Sequence, residues 1–332
     1  MKEGESPYLL VTRLLPEEGM ERLRGFANLD VWEEDKPMPR AELLDRIADK
    51  SGVLSLLGDR IDREVIDRAP GLRVIGNYAV GYDNIDVAYA TSKGIPVINT
   101  PGVLTDATAD LAFGLILASA RRLAEGDRFI RSGKFKTWGP RLLLGKDVYG
   151  ATLGVIGAGK TGEAVLRRGK GFDMRLLYHS RTRKPEMESE LGAEFRELRE
   201  LLEESDFVSL NCPLSDETYH LIGERELALM KKDAFLINTA RGPVVDEKAL
   251  YRSLHEGWIG GAGLDVFEEE PKVFPPLMDL QNVIMVPHIG SATVSARLNM
   301  AFMVADGMQK VLSGDIPDNI VNPEVFRDSR QV

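Results

Sequence analysis

Residues 152–162 read Thr152-Leu-Gly-Val-Ile-Gly-Ala-Gly-Lys-Thr-Gly162, and this stretch decides the fold. An apolar run of strand length ends in Gly157-x-Gly159-x-x-Gly162, and a helical stretch, Glu163–Lys170, follows at once. The glycine pattern alone is weak. Between a strand and a helix it is the fingerprint of a dinucleotide-binding turn. The glycines allow a tight turn and let the backbone approach a pyrophosphate. The helix start offers unpaired N–H groups and the positive end of its dipole, and Lys160 adds a charge beside them. The plain alternative is a tight turn without a ligand, and the flanking strand and helix argue against it.

Outward from this turn, apolar runs of strand length recur at Thr152–Ile156, Arg175–Tyr178, Phe207–Leu210, Ala234–Asn238, Gly261–Leu264 and Val283–Met285. Helical stretches fill the gaps. Six strands alternating with helices predict a doubly wound parallel sheet of the Rossmann type. Upstream lies a smaller α/β series. Strands are expected at Tyr8–Thr12, Val31–Glu33, Gly52–Leu56, Val74–Asn77 and Pro96–Ile98, and helices at Pro16–Arg24, Arg40–Ala48 and Glu64–Ala69. Thr105–Ala120 reads as a helix buried on most sides. Residues 121–150 are basic and glycine-rich, carry Trp138 and show no clean period. They are expected to be a mobile loop or an arm that packs on another subunit. The last helix, Ser295–Leu312, lies beyond the second series and is expected to return to the first. The predicted architecture is therefore α/β in two domains. Residues 102–290 bind the dinucleotide, and a discontinuous, flavodoxin-like substrate domain comprises 1–101 and 291–332.

The bulk properties restrict the function. The chain has 332 residues, too many for one ordinary core. It is 43% hydrophobic and 28% charged, as folded proteins are. A net charge of −10 and the lack of a dense Lys/Arg run speak against nucleic acid as a partner. An anionic substrate would need local positive charge, since the overall field repels it. The one cysteine, Cys212, rules out an internal disulfide and fits a reducing compartment. Lys2, Glu3 and Glu5 do not read as a secretion leader, and the apolar run near Leu111–Ala120 is too short to span a bilayer. The expected location is the cytoplasm.

About twenty residues after the glycines, a site selective for NAD would place an acidic residue against the ribose 2′-OH. Here the chain reads His179-Ser-Arg-Thr-Arg183, with no carboxylate before Glu186. Ser180 and Thr182 can donate hydrogen bonds, and Arg181 or Arg183 can pair with a 2′-phosphate. The expected cofactor is NADP, with NADPH preferred to NADH. A solvated basic loop is the bland alternative.

A dinucleotide enzyme that reduces a 2-oxo acid needs a cation for the carboxylate, an acid for the developing alkoxide and a carboxylate to hold that acid. Arg241 follows the apolar run Ala234–Ala240, at a strand end where this fold faces its ligand. Its guanidinium can hold a carboxylate bidentately. Of the four histidines, His255 sits in a polar helix, His220 follows a loop and His179 lies on the adenosine side. His288 follows the strand Val283–Pro287 and precedes small residues that let a cofactor come close. It is the candidate general acid. Glu268-Glu-Glu-Pro271 follows another strand, and one of its carboxylates can orient His288 and favour its charged form. Spacing does not choose among the three. No metal site is expected.

Several segments together resemble the D-isomer-specific 2-hydroxyacid dehydrogenases, and in particular their glyoxylate/hydroxypyruvate reductase branch. They are residues 77–86, the Gly157 fingerprint, 177–183, 238–246, 264–271 and 287–292, and the resemblance runs from about residue 8 to 322. It implies that the glutamate before the proline, Glu270, pairs with His288 as proton donor while Arg241 binds the substrate carboxylate, aided by backbone N–H groups of Val80 and Gly81. It implies cofactor contacts at Gly157, Ala158, Gly159, Lys160, Thr161, Ser180, Arg181, Thr182, Cys212, Pro213, Thr239, Ala240, Arg241, Asp265, His288, Ile289 and Gly290. Asp265 would face the nicotinamide carboxamide. It implies a homodimer through the 121–150 arm, and reduction of glyoxylate to glycolate or of hydroxypyruvate to D-glycerate. The family more usually has Arg-Ile where this chain has Lys160-Thr161. Competing readings are a hydroxypyruvate reductase, a phosphoglycerate dehydrogenase, and a dinucleotide-sensing interaction protein of the same fold.

Overall fold

The computed structural model describes residues 6–326. Lys2, Glu3 and Glu5, read above against a leader, lie outside them, as do the outermost residues of the expected substrate domain. The chain forms two compact units. One runs to Leu104 and resumes at Ala292, and the other is Thr105–Ser291.

The first unit holds β1 (Tyr8–Val11), β2 (Asn28–Val31), β3 (Gly52–Ser55), β4 (Val74–Asn77) and β5 (Val97–Ile98) in one sheet ordered β2-β1-β3-β4-β5. Every pair is parallel. A parallel sheet is covered on both faces, so its strands read as continuous apolar runs, and β3 and β4 are buried at every position. The helix Val294–Ser313 covers one face. Its Met300, Ala301, Val304 and Met308 join a core with Leu9, Val11 and Met20. Gly76 on β4 leaves room for it, because a Cβ there would lie 2.5 Å from Met308 Sδ.

The expected second strand, Val31–Glu33, is shifted. β2 is Asn28–Val31, and Tyr8 to Val11 pair with Asn28 to Val31. It is an edge strand with one neighbour, so polar Asn28 and Asp30 are tolerated in it and disguise it. The Asp30 carboxylate is met by Arg46 and by the buried Lys50, which hold it below the usual carboxylate range although burial opposes this.

The second unit is the expected Rossmann sheet. It contains β6 (Thr152–Ile156), β7 (Arg175–His179), β8 (Glu194–Phe195), β9 (Phe207–Leu210), β10 (Phe235–Asn238), β11 (Gly261–Leu264) and β12 (Val283–Met285), ordered β12-β11-β10-β9-β6-β7-β8. There are seven strands and not six. β8 has two residues, both half-buried, too short and too polar to carry a pattern. The chain order reverses beside β6, and in open α/β sheets the ligand crevice lies at such a switch point, outside the C-terminal strand ends.

The 121–150 stretch also differs from its reading. Leu123–Arg131 is a helix. None of its residues is fully buried, and Leu123 and Ile130 are exposed. Among the described residues no helix is long and apolar enough to cross a membrane.

Candidate active site

The glycine turn is built as its spacing requires. Gly157 has φ +95°, and a Cβ there would lie 2.5 Å from Cys212 N. A Cβ on Gly162 would overlap the Gly157 carbonyl oxygen, so the helix Lys160–Lys170 starts tight against the turn. Gly159 is the N-cap, and nothing lies within 4 Å of where its Cβ would be. The N–H groups of the first helical turn lack intrahelical partners. Together these make an open anion cradle, with exposed Lys160 at its rim. Two buried polar atoms near the C-terminal strand ends, Thr239 Oγ1 and Asn211 Oδ1, have no hydrogen-bond partner among the described residues. A dinucleotide fits this arrangement. Cys212 is packed behind Gly157 and is 8% exposed, and burial pushes its thiol up to about 11. It is therefore a backing residue and not a reactive one.

At the end of β7, Arg183 is engaged by Glu188, with Nη2–Oε2 at 2.8 Å, and lies over the Phe195 ring. Arg181 is exposed, and no hydrogen bond holds it among the described residues. The Ser180 hydroxyl donates to Thr182 O at 2.6 Å, shaping the loop. His179 Nδ1 meets Arg196 O at 3.0 Å.

Three strand ends of the same sheet supply the polar groups. After β10, the Asn238 side chain donates to Arg241 O at 2.9 Å and accepts from Ala240 N–H at 3.0 Å, which fixes the turn carrying Arg241. Arg241 Nη1 donates to Ala240 O at 2.8 Å. After β11, Asp265 is 1% exposed, and its carboxylate accepts from Ile289 N–H at 2.6 Å and Gly290 N–H at 2.8 Å. Burial nevertheless pushes this carboxyl above its ordinary value, with the Glu270 charge adding to the effect. After β12, His288 has φ +52°, an unusual conformation for a side chain of this size. Its N–H donates to Asp265 O at 2.9 Å.

His288 Nδ1 lies 2.7 Å from Glu270 Oε2. With the ring N–H donating to the carboxylate, Nε2 is the atom left for a substrate. Burial would raise the Glu270 carboxyl. The hydrogen bond and charge of His288, the Phe267 N–H and the charge of Arg241 outweigh it and hold Glu270 below the usual range. The two side chains are 32% and 35% exposed, so the pair is reachable from outside. Of the three glutamates that spacing left open, Glu270 is on His288, Glu268 is on His220 and Glu269 is exposed. His255 stacks on Tyr251 at 5.5 Å in a surface helix, away from these strand ends.

Val80 and Gly81 belong to the first unit. Val80 O accepts from Asn99 Nδ2 at 2.8 Å, and Gly81 O accepts from Asn77 Nδ2 at 2.7 Å. In a trans peptide the N–H points opposite the C=O, so the two asparagines set where the following N–H groups aim. Neither asparagine, nor Asn238, was a candidate in the sequence. Each acts through backbone contacts that the segments 77–86 and 238–246 carry without advertising. A cavity of about 650 Å³ lies elsewhere, at the N-terminal ends of β10–β12, lined by Arg122, Leu144, Lys146, Asp233, Phe235 and Asn282 among others. No candidate catalytic residue borders it.

Residues 113–290 match the family model described as D-isomer specific 2-hydroxyacid dehydrogenase, NAD binding domain. The chain belongs to the D-isomer specific 2-hydroxyacid dehydrogenases. It is 56% identical over 325 residues to a glyoxylate reductase of Thermococcus gammatolerans, covering 97% of each chain. Among solved structures it is similar to a glyoxylate reductase from Paecilomyes thermophila, at 34% identity and a TM-score of 0.85, covering 96% of this chain and 99% of that one. It is also similar to an NADPH-dependent glyoxylate/hydroxypyruvate reductase from Sinorhizobium meliloti in complex with NADP and malonate. There the identity is 31% and the TM-score 0.84, covering 96% and 98%. This dehydrogenase is thus an NAD(P)-dependent oxidoreductase whose nicotinamide dinucleotide fold is the sheet of the second unit.

Proposed function

We propose that this dehydrogenase is a glyoxylate reductase that uses NADPH in preference to NADH. The observation that carries the reading is the His288–Glu270 pair, 2.7 Å apart at the strand ends beside Arg241, in a chain 56% identical to a named glyoxylate reductase. A reduced nicotinamide, when bound, supplies the hydride. Gly157, Ala158, Gly159, Lys160 and Thr161 would hold its pyrophosphate, and Cys212, Pro213, Thr239, Ala240, Asp265, Ile289 and Gly290 would make further contacts with it. The Arg241 guanidinium grips the substrate carboxylate and draws charge toward the carbonyl oxygen. His288 would give its Nε2 proton to the carbonyl oxygen, the proton that glyoxylate must gain to become glycolate. Glu270 stays ionised and stabilises the imidazolium before transfer. Hydroxypyruvate becomes D-glycerate by the same steps. The test is initial rates with NADPH and NADH on glyoxylate, hydroxypyruvate, pyruvate and 3-phosphohydroxypyruvate. Rapid reduction of glyoxylate supports the reading. Tight dinucleotide binding without turnover of any of them replaces it with the sensor reading.

The NADPH preference rests on Ser180, Arg181 and Thr182 where an NAD site would carry an acid. Arg183 is already engaged, so Arg181 is the group left for a 2′-phosphate. Arg181→Ala is expected to weaken NADPH by about 10-fold or more and NADH little, since a charge-assisted hydrogen bond contributes about 1.5–3 kcal/mol. Fluorescence titration with both cofactors checks it, and equal losses discard the assignment.

We also propose a homodimer through residues 121–150. Leu123, Ile130, Phe135, Leu144 and Tyr149 are exposed there, and Trp138 is 77% exposed. Apolar side chains gathered on one arm mark an association surface. Light scattering of the full chain is expected to give twice the protomer mass, and a monomer at micromolar concentration removes this proposal. A cytoplasmic location is proposed on the single buried thiol, and cell fractionation tests it.

A further inference from the structure

His220 had no functional role in the sequence reading. In the structure it joins the two loops that carry the acid–base and carboxylate-binding groups. Its backbone N–H donates to Pro243 O at 2.8 Å, two residues beyond Arg241, and Ile222 N–H donates to Val244 O at 3.1 Å in the same direction. Its Nε2 is in hydrogen-bond contact with Glu268 Oε1, two residues before Glu270. The residue has φ +49°, and the Tyr219 ring stacks on the imidazole at 4.1 Å and 15°. Glu268 is held at its other end too, where its N–H donates to Glu247 Oε1 at 2.9 Å. Phe267 N–H donates to Glu270 Oε1 at 3.0 Å, so the same short turn aims the Glu270 carboxylate. The two loops touch backbone to backbone, since a Cβ on Gly242 would overlap the Phe267 carbonyl.

Resting on the reductase reading of Glu270 and His288, we propose that His220 is a positioning residue, which holds Glu268 and thereby keeps Glu270 on His288. The 268–270 run puts three carboxylates in one turn. Glu247 lies behind it, with its carboxyl raised by burial and by the Glu268 charge. Facing His220 are Glu268, Asp246, whose Oδ2 is 4.0 Å from Nδ1, and the Tyr219 ring. His220 is thus the donor that ties down the Glu268 carboxylate. Without it, Glu268 loses its tie to the loop beyond Arg241, the turn that carries Glu268 and Glu270 loosens, and Glu270 loses its aim at His288.

The test uses the full-length protein as His220→Ala, His220→Gln, Glu268→Ala and the His220→Ala/Glu268→Ala double variant. Each is measured for kcat and KM with glyoxylate, for NADPH binding by fluorescence, and for the His288 titration by NMR of ¹³Cε1-histidine protein. Four histidines make the spectrum assignable, with His288→Ala as the reference. His220→Ala is expected to lower kcat about tenfold or more, because misaiming a catalytic group by a fraction of an ångström is costly. KM and NADPH affinity should stay within about twofold. The His288 midpoint should move to lower pH than in the parent, as its carboxylate partner is no longer held. His220→Gln, which keeps an N–H donor, restores most of both. Glu268→Ala, which removes the acceptor, behaves as His220→Ala does, and the double variant is no worse than either, as expected for one unit. An unmoved His288 titration with retained kcat overturns the proposal. Additive losses in the double variant, or equal losses in cofactor binding, overturn it as well. If His220→Ala does not fold, Glu268→Ala decides by the same readouts. A parent protein that reduces no 2-oxo acid overturns the reductase reading instead, and the NMR comparison still decides whether His220 positions Glu270.

Discussion

Replacing His288 with alanine is expected to lower kcat for glyoxylate by about 10²–10⁴-fold, the usual contribution of a positioned general acid. NADPH affinity should change by no more than about twofold, because only the proton donor is lost. The expectation follows from geometry. Nδ1 is committed to Glu270 at 2.7 Å, and that commitment leaves Nε2 for the substrate oxygen. Glu270 is held below the usual carboxylate range, so it remains ionised as pH falls through the mildly acidic region and keeps stabilising the imidazolium there. Reduction needs the protonated ring, so the parent should lose kcat as pH rises, and the variant should lack that limb. Single-turnover absorbance at 340 nm resolves the chemical step. Turnover equal to the parent would remove His288 as the acid.

The second large effect is expected at Arg241. Each charge-assisted hydrogen bond is worth about 1.5–3 kcal/mol, so losing a two-pronged grip on the carboxylate should lower kcat/KM by about 10²–10⁴-fold. Arg241→Lys should recover only a small part, because an ammonium lacks the planar fork. The turn itself should survive both changes, since Asn238 holds the Arg241 carbonyl and not the guanidinium. Steady-state kinetics with glyoxylate, alongside an unchanged melting temperature, checks this. A variant with parental kcat/KM would move the carboxylate grip to another residue.

Much of the architecture was legible because its signals are local. β3, β4 and β6 to β12, apart from β8, are apolar runs whose burial follows from being covered on both faces. The glycine turn is a steric statement at two of its three positions, and the structure has room for a side chain at neither Gly157 nor Gly162. The elements that were displaced or missed lack such a signal. β2 is an edge strand with polar Asn28 and Asp30, β8 has two residues, and the helix Leu123–Arg131 leaves Leu123 and Ile130 exposed.

The sequence by itself determined that this protein is a parallel α/β dinucleotide binder. It also determined that Arg241, His288 and one of three glutamates were the candidates for its chemistry. Residue spacing left the three glutamates open and the family resemblance pointed to Glu270; only the tertiary structure shows the contacts themselves, Glu270 on His288, 18 residues away, and Glu268 on His220, 48 residues away. The physical reason is range. A strand, a helix start or a glycine turn is dictated by neighbours along the chain. A hydrogen bond between loops depends on how separate strand ends are brought side by side in the sheet, and no spacing of residues records that.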